Sequence, residues 1–171
     1  MSTTHRVRSQ RILREAEGYL ELGLAQAALD ALDRLTEPGT FRGKLMYLRG
    51  EALRSLHRYD EASDALQQAA DLRPSEPDVW LALAWCQKRS GQLDKAIEAL
   101  EHAREGEPSE ATIYYNLACY YSLAGRKDDA IANLSRAIAM KPDFREMVSD
   151  EADFDPIRSD PEFQAIISVI V

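Results

Sequence analysis

Long apolar runs are missing from this chain of 171 residues, and none approaches the roughly 18 to 20 residues that a membrane-spanning helix needs. Membrane insertion is therefore not expected. Cysteine is nearly absent. Cys86 and Cys119 make no disulfide framework, and a reducing, cytoplasmic setting suits them. With three histidines, eight glycines and seven prolines, the chain has too little of each for a histidine metal cluster or a low-complexity segment. Basic charge is also short. The formal net charge of −8 argues against a general nucleic-acid binder, which must neutralise phosphates.

The charge is unevenly spread. Residues 1–14, "MSTTHRVRSQRILR", carry four arginines and no acid, whereas residues 143–162 carry eight acids and two arginines. The first stretch lacks the apolar segment of a secretory signal. Its arginines faintly resemble a transit peptide, but the pattern described next already begins at residue 9. Asn133-Leu134-Ser135 matches a glycosylation acceptor but falls inside an expected helix, and it is discounted.

What the chain does have is a period. Pro74, Pro108 and Pro142 stand 34 residues apart. Blocks 9–42, 43–76, 77–110 and 111–144 then align in columns. The eighth position reads Ala16, Gly50, Ala84, Ala118, and the twentieth Ala28, Ala62, Ala96, Ala130. The twenty-fourth is Leu32, Leu66, Leu100, Leu134, and the twenty-seventh Leu35, Ala69, Ala103, Ala137. The fourth is bulky: Ile12, Met46, Trp80, Tyr114. Each block reads as two amphipathic helices broken at Gly23, Gly91 and Gly125, with His57 in the second block at the same place. Small residues at the eighth and twentieth positions let the helices approach, and large ones fill the layer between them. Trp80 is expected to be a packing residue of that layer.

These columns resemble the tetratricopeptide repeat: two helices in 34 residues, bulky at four, small at eight and twenty, proline at thirty-two. The resemblance covers 9–144, with block 9–42 degenerate because Thr40 replaces the proline. It implies an all-α, right-handed α-solenoid of antiparallel helix pairs, bounded by a basic arm at 1–8 and a C-terminal cap at 145–171, as one continuous domain. In the tail, "SDPEF" reads as a helix start with Asp160 as N-cap and Pro161 at the first position. Phe163, Ile166, Ile167 and Ile170 then share one face, expected to cover the last repeat, with weak self-association through this tail as the alternative. "DFDPIRSDPEF" also looks like a tail that often follows the last repeat in bacterial proteins of this kind.

The resemblance places positions two, five, nine and twelve of each first helix in a concave groove. That nominates Leu13, Glu17, Tyr47, Glu51, Arg54, Leu81, Trp85, Lys88, Tyr115, Cys119 and Ser122 as lining, with Arg89 adding to a cationic spot. The carboxylate-clamp pattern of some family members is not met, since Leu13 and Glu17 stand where lysine and asparagine are required. No catalytic residue, cofactor or metal ligand is nominated. His5, His57 and His102 are scattered, and the acids of 150–155 lack the central glycine of an EF-hand. The expectation is a non-catalytic interaction module that takes a peptide or helix of a partner protein across Tyr47, Trp85 and Tyr115. A secretion-type chaperone for one client and a self-assembling scaffold are the alternatives.

Overall fold

A computed structural model describes residues 3–168 and, among them, helices and turns without strands. The chain forms two compact units, Met1–Gln92 and Leu93–Val171, so the division falls inside block 77–110. The first unit holds α1 (Thr3–Glu21), α2 (Ala25–Asp33), a 3-10 turn (Gly39–Phe41), α3 (Arg42–Ser55), α4 (Tyr59–Leu72) and α5 (Pro77–Arg89). The second holds α6 (Leu93–Gly106), α7 (Ala111–Leu123), α8 (Lys127–Met140), α9 (Phe144–Met147), a 3-10 turn (Ala152–Ile157) and α10 (Pro161–Ile167). The chain is all-α and built from helix pairs.

The columns explain the packing. Ala28, Ala62, Ala96 and Ala130 are fully buried, as are Leu32, Leu66, Leu100 and Leu134. At the eighth position α3 and α4 approach closely: a Cβ on Gly50 would stand 2.4 Å from Leu66 Cγ. Each first helix stops by one device. Gly23, His57, Gly91 and Gly125 all have positive φ, between 60° and 76°. Around them the amides of Leu24, Arg58, Gln92 and Arg126 donate to carbonyls five residues back, at 2.8–2.9 Å, which closes a Schellman motif.

Three differences from expectation have local causes. The stretch 1–8 is helical from Thr3, since no glycine or proline interrupts it, and His5 Nε2 donates to the Glu37 carbonyl at 2.7 Å. Trp80 is half-buried rather than a core residue, because its indole NH turns out to the Pro74 carbonyl at 2.9 Å. Tyr114, one repeat later, repeats the arrangement on Pro108 at 3.1 Å.

The tail folds back onto the second unit. Asp160 caps α10, accepting from the amides of Glu162 and Phe163, and is bridged by Lys127 Nζ at 3.0 Å. Phe163 is fully buried, Ile166 and Ile167 half-buried; Ile170 lies outside the described residues. Arg158 holds the bend by donating to the carbonyls of Val148, Ser149 and Glu151.

Candidate functional site

In the first unit the first-helix face combines aromatic and charged groups. Glu17 of α1 pairs with Lys44 of α3 at 2.7 Å. Three residues beyond Lys44, Tyr47 is half-exposed with Arg73 6.0 Å over its ring. Burial pushes the Tyr47 phenol above its ordinary range, and the nearby charges of Glu51 and Asp78 push the same way. One turn on, Glu51 accepts from Arg54 at 2.6 Å. The Arg54 guanidinium lies 5.3 Å from the centre of the Trp85 ring of α5, and Arg89 lies 5.2 Å from the same ring. Tyr59, at the start of α4, meets Trp85 edge to face at 5.4 Å.

Two cations near one indole, with a second aromatic at its edge, form a compact site able to stack a planar or apolar group and to meet an anion beside it. Glu51 Oε1 and Arg54 Nε are buried without a hydrogen-bond partner. They leave one acceptor and one donor unfilled at its floor. Leu81 and Lys88 of α5 are half-buried, and Leu13 of α1, only 2% exposed, lies in the wall of a cleft with Gln10, Arg14, Phe41 and Lys44. Cys86 is fully buried, and burial raises its thiol to about 11, leaving it protonated and unreactive at neutral pH. A separate cleft of about 390 Å³ between α2, α3 and α4 contains none of the nominated residues, and its Arg58 and Glu61 are paired with each other.

The second unit places its nominated residues differently. Tyr115, Cys119 and Ser122 are buried, at 5%, 3% and 0% exposure. The tail covers Tyr115 and lies against Cys119. Tyr115 stacks on Phe144 at 4.7 Å and meets Phe154 edge to face at 5.8 Å, and Phe154 in turn contacts Phe163 at 5.4 Å. Here the expectation of an open lining is corrected: α7 presents this face to the chain's own C-terminal segment. Tyr59, Phe144 and Phe154 were not nominated. Tyr59 follows the helix break in the sequence, but only Phe154, between two acids and a proline, stands out as an apolar residue in a polar turn.

Profiles of the tetratricopeptide repeat match residues 13–77, 53–118 and 89–150. The chain belongs to the tetratricopeptide repeat family. A crystal structure of MamA is 25% identical, with a TM-score of 0.74 and 81% of each chain covered. MamA from Desulfovibrio magneticus RS-1 is 18% identical, with a TM-score of 0.72 over 79% of this chain and 76% of that one. YrrB, described as a TPR protein with an unusual peptide-binding site, is 24% identical, with a TM-score of 0.71 over 79% and 70% of the two chains. No curated protein matches the chain. Among the described residues no helix is long and apolar enough to cross a membrane. As a tetratricopeptide repeat protein, the chain is a protein-interaction module.

Proposed function

We propose that the first unit binds an extended or helical segment of a partner protein, without catalysis, on the face formed by Tyr47, Glu51, Arg54, Trp85 and Lys88. The observation that carries this reading is Trp85, half-exposed near Arg54 and Arg89 with the Tyr59 ring at its edge. An indole left open among cations favours a ligand with an apolar or aromatic anchor and a neighbouring carboxylate. The second unit supplies an internal parallel. There, the equivalent helix face is covered by a 3-10 turn of the same chain, Ala152–Ile157, which carries Phe154 between Asp153 and Asp155. YrrB adds only that this fold accommodates a peptide-binding site. The burial of Phe163 within the chain supports the tail as a cap rather than a surface for self-association.

The test is a peptide-display selection against the full chain, followed by affinity measurement with Trp85→Ala and Tyr47→Ala. Loss of the ligand's apolar or aromatic anchor, of its neighbouring carboxylate, or of Trp85 should weaken binding at least about tenfold, and binding should weaken with salt. Selected peptides whose affinity is the same in both variants would sink the reading. Trp85→Ala should leave the far-ultraviolet circular dichroism of the chain unchanged.

A further inference from the structure

Where the tail crosses α7, three side chains of metal-ligating type converge. The Cys119 sulfur and one carboxylate oxygen each of Glu151 and Asp153 all lie within 4.8 Å of one another. Cys119 is buried and the two acids are half-buried. We propose that Cys119, Glu151 and Asp153 bind a divalent transition-metal ion of the zinc class, which clips the C-terminal tail to α7.

Charge gives the first argument. Two carboxylates and a thiol that converge within 4.8 Å make a donor set whose summed charge favours a cation bound among them. The adjacent Arg158 guanidinium is turned to the carbonyls of Val148, Ser149 and Glu151 and to the Asp155 carboxylate.

An independent observation comes from Tyr115. Its hydroxyl is buried and has no hydrogen-bond partner. It lies one helical turn before Cys119, so both side chains leave the same face of α7. Apart from burial, the groups that disturb the phenol are Cys119, Glu151 and Asp153, in that order. The orphan hydroxyl is thus directed to the same three ligands. It could fill the fourth position itself or bond to a water that does.

The donor set selects the ion. A thiolate with two carboxylates suits zinc or cobalt and disfavours magnesium and calcium, which take oxygen ligands. A tetrahedral ion with bonds of about 2.0–2.3 Å holds its ligand atoms roughly 3.5 Å apart, so the cluster would need only a small contraction. Its outer contacts are already in place. Glu151 Oε1 accepts from the Asp153 amide at 3.1 Å, and Arg158 fixes the Glu151 carbonyl at 2.7 Å.

The experiment uses the reduced, chelator-treated full chain, titrated with cobalt(II) without oxygen and then with zinc. The proposal expects a thiolate-to-cobalt charge-transfer band that saturates at one ion per chain and is displaced by zinc. The band should vanish in Cys119→Ser, weaken at least about tenfold in affinity in Asp153→Asn and Glu151→Gln, and persist in Cys86→Ser. Zinc should also raise the melting temperature of the wild type but not of Glu151→Gln. No band in the wild type, or a band that survives in Cys119→Ser, overturns the proposal. So does unchanged affinity in both carboxylate variants, whose half-buried positions keep the test valid should Cys119→Ser misfold.

Discussion

The two units use one repeat chemistry and treat the same helix face differently. In the first, Tyr47 and Trp85 are half-exposed beside Arg54; in the second, Tyr115 is closed under Phe144 and Phe154. Charge divides along the same line. Residues 1–92 carry thirteen basic and thirteen acidic side chains, and residues 93–171 carry eight and sixteen. The difference is not in the columns, since Tyr47 and Tyr115 both hold the fifth position of their blocks. It lies in what each unit supplies afterwards: the single helix α5 in one case, an acidic tail with buried phenylalanines in the other. Whether a repeat keeps a face open for a partner is therefore decided outside the repeat.

The largest effect should come from removing that cover. Phe154 is fully buried against Tyr115 and Phe163. Phe154→Ala should cost about 3–5 kcal/mol in chemical denaturation and raise hydrogen exchange along α7, while α3 stays protected. Equal deprotection of α3 and α7 would break the comparison. A smaller loss belongs to the first unit. Gly50→Ala places a methyl 2.4 Å from Leu66 Cγ, so the Leu66 side chain or the helix itself must give way. A cost of about 1–3 kcal/mol is expected by urea denaturation, and a neutral result would mean that α3 and α4 can separate freely.

Acid offers a gentler way to loosen the cap of the second unit. Lys127 and the amides of Glu162 and Phe163 hold the Asp160 carboxyl below its ordinary value of 3.8. A depressed value in the folded chain means that its contribution is present above about pH 3.8 and is lost as pH falls further, through the folded value. The Phe163 ring resonances should shift in that window, and Asp160→Asn should abolish the Asp160-linked part of the shift.

The helix pairs were legible because four copies of one pattern average out local noise. Leu32, Leu66, Leu100 and Leu134 can be assigned to the core by alignment of the chain with itself. Glu17, Tyr47, Arg54 and Trp85 were nominated through the family resemblance, and the structure leaves all four half-buried. The tail was not. It occurs once, so nothing aligns with it, and its partner Tyr115 lies about forty residues upstream, beyond any helical period. The hydrophobic face of α10 announced that something would be covered. No local feature of 145–160 said that Tyr115, Cys119 and Ser122 would be buried. Trp80 was misplaced for a subtler reason: a bulky column reads as core, yet an indole carries an NH that must find an acceptor, and the Pro74 carbonyl draws it outward.

The smallest expected effect concerns the one helix stop without glycine. His57 holds φ at 60° in the turn where Gly23, Gly91 and Gly125 hold 72–76°. A side chain there costs about 1–2 kcal/mol relative to ordinary helix. Two terms oppose its replacement: glycine gains freedom in the unfolded chain, and the bond of His57 Nδ1 with the Tyr59 hydroxyl, 2.7 Å long, is lost. The strain should win narrowly, so His57→Gly should stabilise by less than about 1 kcal/mol in urea denaturation. Tyr59 also touches Trp85, which links this turn to the open face. If His57→Gly destabilises instead, the histidine is orienting Tyr59, and ligand affinity at Trp85 should fall with it. A gain in stability with unchanged affinity would leave the turn as scaffold alone.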